Sequence, residues 1–94
     1  MEIFRSNEDI YRFTNEIILQ AKDNGDKNIV DLLESAVKRG GFLPSERLGE
    51  LRIAFSELVI IIEDEKKNYP IKEIKMVIHA IDKAFKRSNR PFPS

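Results

Sequence analysis

Four stretches of helical apolar periodicity run along this chain, and each ends at residues that cannot continue a helix. The breaks are Asn24-Gly25, Gly40-Gly41, Tyr69-Pro70 and a tail holding Pro91 and Pro93. Glycine accepts the left-handed conformation that closes a helix, and proline lacks the amide that would extend one. That punctuation leaves room for four helices of ordinary length.

The first helix is predicted over 6–23. Ser6 with Asp9 three residues on resembles a capping box, and Phe4 is placed to staple back onto the first turns. Ile10, Phe13, Ile17 and Ala21, widened by Tyr11, Thr14 and Ile18, fall within an arc of about 160° at about 100° per residue. Leu19 lies outside that arc.

The second helix is predicted over 27–39, with Asp26 as its cap. Ile29, Val30, Leu32, Leu33, Ala36 and Val37 form one face, and Lys38-Arg39 suit the negative end of the helix dipole. Phe42 and Leu43 follow the double glycine and are expected to turn inward. The third helix is predicted over 45–66, with Ser45 as cap and Glu46 in its first turn. Leu48, Leu51, Phe55, Leu58 and Ile62 repeat at alternating three- and four-residue steps, which is a helix-packing seam. The fourth is predicted over 70–87, with Ile74, Val77, Ile78, Ile81, Ala84 and Phe85 as its inner face and 88–94 as a flexible tail.

Connections this short place successive helices antiparallel. The expectation is an all-α, compact four-helix up-down bundle forming a single domain over 1–94. Its core is expected to be Ile10, Phe13, Ile17, Leu32, Leu33, Ala36, Leu48, Leu51, Phe55, Leu58, Ile62, Ile74, Ile78, Ile81 and Phe85. The 94 residues are 41% hydrophobic, enough for one such core.

The same composition narrows function. With no cysteine there is no disulfide, thiolate nucleophile or cysteine zinc site. The N-terminus has no apolar signal stretch, and the longest aliphatic run, Leu58 to Ile62, is far short of the roughly 20 residues that span a bilayer. A cytoplasmic protein with no membrane contact is expected. His79 is the single histidine and has no motif partner, so neither multi-histidine metal chemistry nor a catalytic dyad is predicted. Glu63-Asp64-Glu65 and the trio Asp23, Asp26 and Asp31 lack the spacing of a calcium loop. Gly40-Gly41 has neither the Gly-Lys-Ser/Thr nor the strand of a phosphate loop. The expectation is a non-enzyme that needs no cofactor.

Three surface features remain as candidates. Net charge is zero, yet residues 1–65 hold 8 Lys/Arg against 14 Asp/Glu, and residues 66–94 hold 8 against 2, for net charges of −6 and +6. The acidic part supplies an inhibitor-like surface for a basic partner, with Asp31, Glu34, Glu46 and Glu50 its main candidates and Asp23 and Asp26 beside them. The fourth helix carries a basic row, Lys72, Lys75, His79, Lys83 and Lys86, extended by Arg87 and Arg90. Such a row suits a polyanion through backbone contacts. It also reads as an ordinary solvated face that complements the acidic part. The third helix carries a second stripe, Gly49, Ile53, Ser56 and Ile60, which is either a second packing side of a central helix or a partner surface.

A helix-turn-helix reading of the middle two helices is disfavoured, because Glu46 and Glu50 open the would-be recognition helix with the wrong sign for phosphate. The reading these features favour is protein–protein interaction, with another protein or with a second copy. A small bacterial immunity- or antitoxin-type inhibitor or an adaptor is the class in view. The alternative is a nucleic-acid-associated regulator using the fourth helix.

Overall fold

A computed structural model describes residues 4–41 and 43–88, with side chains described as far as Lys86. Four helices follow one another without a strand among the described residues: α1 (Asn7–Asn24), α2 (Lys27–Gly40), α3 (Pro44–Glu65) and α4 (Ile71–Ser88). The all-α four-helix reading holds. Expectations for Phe42, for the side chains of Arg87 and Arg90 and for the tail from residue 89 lie outside the described residues.

Local chemistry accounts for most helix ends. The Ser6 hydroxyl accepts from the Asp9 amide at 3.3 Å, and the Asp9 carboxylate accepts from the Arg5 amide at 2.9 Å. This is a capping box whose return arm lands one residue early. Phe4 meets Phe13 edge-on at 5.3 Å, close to the expected staple. Gly25 closes α1 at φ 75, in the left-handed region that favours glycine.

Two capping expectations fail. Asp26 stands at the N-cap of α2 but its side chain does not cap; its carboxylate is used elsewhere, as described below. Ser45 is not the cap of α3, because Pro44 already occupies the first helical turn and Leu43 is the cap residue. Leu43 is also exposed rather than turned inward.

The contacts at the two ends establish the up-down course. At one end, the Lys67 ammonium donates to Asp26 at 2.9 Å and the Tyr69 hydroxyl donates to the same carboxylate. The Gln20 amide donates to the Asn68 carbonyl at 3.1 Å. The turn after α1 is therefore tied to the turn after α3. At the other end, the Arg47 guanidinium lies over Tyr11 at 5.2 Å and donates to the Gly41 carbonyl. The start of α3 thus meets the start of α1 and the end of α2, while Phe85 near the end of α4 reaches Gly49.

The core follows the predicted faces. α1 packs on α2, α2 on α3 and α3 on α4. Leu48, Leu51, Ala54, Phe55, Leu58 and Ile62 are all buried and occupy about 120° of α3 at about 100° per residue. Phe55 reaches α1 through Phe13 at 5.9 Å. Ile10, Ile17, Leu33, Ala36, Ile74 and Ile81 are buried as expected, joined by Ile18, Ala21, Ile29, Val30, Val77 and Tyr69. Phe13, Leu32, Ile78 and Phe85 pack against this core only partly buried. Thr14 is buried too, and its hydroxyl is satisfied by donating to the Ile10 carbonyl at 2.8 Å.

Two glycines in helices behave oppositely. A Cβ on Gly40 would land on the backbone of Arg47, so α2 and α3 touch there through a glycine. A Cβ on Gly49 would meet only Phe85 Cζ at 3.7 Å, an ordinary contact. Gly40→Ala is expected to cost about 1–3 kcal/mol by overpacking. Gly49→Ala is expected to stabilise by up to about 1 kcal/mol through helix propensity. Thermal unfolding checks both, with shifts of opposite sign.

The Asp26 cluster makes stability depend on pH at both extremes. Hydrogen bonds from Tyr69 and then Lys67 hold the Asp26 carboxyl below its ordinary value of 3.8. Stability from that group is present above the unfolded value and is lost as pH falls through the folded one. Its hydrogen bond to Asp26 raises Lys67 above 10.5, and burial followed by Tyr69's own hydrogen bond to Asp26 raises Tyr69 above 10.0. Their share is complete at neutral pH and is lost as pH rises through the folded values. Asp26→Asn is therefore expected to lose less stability than wild type between about pH 5 and pH 3, as measured by denaturant titration at each pH.

Candidate interaction surface

α3 is apolar on two sides. The buried seam occupies one side, and Ile53 and Ile60 stand opposite it, about 160–180° round the helix from Leu51. Ile53 is 52% exposed and Ile60 64%. The second stripe is therefore exposed at Ile53 and Ile60 and half-buried at Gly49 and Ser56. α4 reaches its Gly49 end through Phe85, and the Ser56 hydroxyl folds back onto the Arg52 carbonyl at 2.8 Å. The reading of α3 as packed by its own bundle on two sides holds at Gly49 and fails at Ile53 and Ile60.

Ion pairs border this face. On the α4 side, Arg52 pairs with Asp82 and Glu63 with Lys75 at 3.5 Å. On the α2 side, Glu50 pairs with Arg39 at 3.0 Å. Exposed pairs of this kind each contribute about 0–1 kcal/mol. Their larger effect is to occupy these six charges. Between them Glu46, Glu57 and Asp64 are exposed and hold no ion pair among the described residues. They lie about 20–40° round the helix from Ile53.

The acidic candidates do not form one field. Glu46 belongs to the α3 face. Glu50 is engaged by Arg39, Glu34 pairs with Lys22 of α1 at 3.4 Å, and Asp26 is locked by Lys67 and Tyr69. Asp31 is exposed on α2, apart from the Ile53–Ile60 row. Glu57, unnamed in the sequence reading, and Asp64, named there only within the Glu63-Asp64-Glu65 run, are members of this surface. Their signal was present, since Glu57 stands four residues after Ile53 and Asp64 four after Ile60.

The basic row is surface as expected: Lys72, Lys75, His79, Lys83 and Lys86 are all exposed on α4. Lys75 is drawn toward Glu63, so the row contributes to the joint between acidic and basic parts of the chain. Lys67 to Asp26 is a second such joint, whereas Arg52 to Asp82 runs in the opposite sense.

A separate shallow groove of about 470 Å³ lies between α1 and α2, lined by Asn15, Ile18, Leu19, Lys22, Glu34 and Val37. Leu19 is exposed there, consistent with its place outside the α1 arc. No group of three or more metal-ligating side chains occurs among the described residues, and none of their helices is long and apolar enough to cross a membrane. No family model matches the chain, and no curated protein or solved structure matches it.

Because Ile53 and Ile60 are exposed, charging them is expected to leave the fold intact. Ile53→Asp is expected to change stability by no more than about 0.5 kcal/mol. Leu58→Ala, on the buried side of the same helix, is expected to cost about 2–5 kcal/mol. Denaturant unfolding of the two variants side by side makes the comparison.

Proposed function

We propose that this protein is a non-enzymatic protein-binding module whose contact surface is the outer face of α3. The observation that carries the reading is the exposure of Ile53 and Ile60 directly opposite a fully buried seam. Single exposed apolar residues are common on any protein. Two isoleucines in line on a rigid helix, edged by carboxylates that hold no ion pair among the described residues, have the layout of an apolar contact with a charged rim. A small immunity- or antitoxin-type inhibitor or an adaptor fits this layout, because such a role needs a rigid, complementary surface and no chemistry. A cytoplasmic setting goes with the reading.

A second reading rests on the row of Lys72, Lys75, His79, Lys83 and Lys86, which a nucleic acid would meet through its phosphates. Affinity capture from the source cell separates the two. Wild-type bait is expected to retain a protein that Ile53→Asp/Ile60→Asp bait loses, with Lys72→Glu/Lys83→Glu bait unaffected. Retention of nucleic acid that falls steeply with salt and disappears in the lysine variant would replace the proposal with the second reading.

A further inference from the structure

We infer that the outer face of α3 receives a cationic amphipathic helix of a different protein, one that sets apolar side chains against Ile53 and Ile60 and lysines or arginines against Glu46, Glu57 and Asp64. The inference rests on the protein-binding reading above and specifies the partner's chemistry.

Spacing comes first. Ile53 and Ile60 are seven residues apart, about 10.5 Å along the helix axis. Two turns is the repeat at which a second helix can lie alongside and bring its own apolar residues to the same points. A helix partner matches that rise and periodicity, and an extended strand does not.

Charge decides what kind of helix. Three pairs on the flanks already occupy charges within the chain, Arg52 with Asp82, Glu63 with Lys75 and Glu50 with Arg39. The unpaired charges along the isoleucine row are carboxylates: Glu46, Glu57 and Asp64. An acidic helix would meet like charge along its length, and an uncharged one would strip water from three carboxylates without return. A basic helix meets all three.

A second copy of this chain fits poorly. Two α3 helices packed antiparallel with Ile53 against Ile60 have their two-fold axis between residues 56 and 57. That symmetry returns each edge of the helix onto itself, so Glu57 faces Glu57 and the acidic edge runs along its own copy. The basic row of α4 offers cations, but the exposed large apolar residues among the described residues are Leu19, Leu43, Ile53 and Ile60, none of them on α4. The partner's cations and apolar residues therefore come from another protein.

The test places a photo-crosslinking residue in the face, Ile60→benzoylphenylalanine, in the full chain expressed in the source cell, and maps the crosslinked segment by mass spectrometry. The expected adduct is a segment of another protein with helical apolar spacing and a Lys/Arg edge. Adding Glu57→Lys and Asp64→Lys is expected to cut its yield at least tenfold while circular dichroism shows the fold unchanged. An acidic or uncharged segment, an adduct with the chain's own copy, or a basic segment whose yield survives the charge reversal overturns the inference and leaves protein binding standing. The absence of any protein adduct overturns both.

Discussion

The buried seam of α3 holds the other three helices in place. Leu48, Leu51, Phe55, Leu58 and Ile62 line up at alternating three- and four-residue steps. α2 lies along one side of α3, α4 along the other, and α1 is reached through the contact of Phe55 with Phe13. Fully burying one large apolar side chain contributes about 1.5–3 kcal/mol, which on a domain with a net stability of about 5–15 kcal/mol makes each member of the row hard to replace. The end contacts set direction more than strength. Asp26 with Lys67 and Tyr69 joins two turns at one end, and Arg47 with Tyr11 and Gly41 joins three helix termini at the other.

A helix that serves as the hub of a small bundle is expected to be apolar all round if its partners surround it. Here the partners do not. The flanks of α3 carry ion pairs to α2 and α4, and the remaining outer arc holds isoleucines that stay exposed. The two apolar sides of α3 thus have different fates. One is consumed in folding and the other is left at the surface, and the proposed function follows from that division.

Helix positions, breaks and inner faces were legible in the residues, because apolar spacing and Gly/Pro punctuation are local signals. The α3 outer stripe was legible as a stripe, but its exposure was not. Whether α4 lies over Ile53 or only over Gly49 depends on where a helix thirty residues later crosses. Tyr69 reads as a turn residue and proves buried, because its partner, Asp26, is 43 residues away in another turn. For the same reason Asp26 looked like a cap and is instead a tertiary anchor. Gly40 reads as a stop, and only the folded backbone shows that Arg47 leaves no room for a Cβ. The acidic candidates were judged by sign, while pairing decided which stayed available. Glu34 and Glu50 are spent on Lys22 and Arg39, whereas Glu57 and Asp64 hold no ion pair among the described residues.

The division of α3 into an inner seam and an uncovered outer face is tested most directly by methyl NMR of the isoleucines with a soluble paramagnetic agent. The account predicts strong, concentration-independent relaxation enhancement at the Ile53 and Ile60 methyls, with Ile17, Ile62, Ile74 and Ile81 protected. Protection of Ile53 and Ile60 at every protein concentration would place them inside the fold and contradict the account. Protection that grows with concentration would make a second copy the occupant of the face.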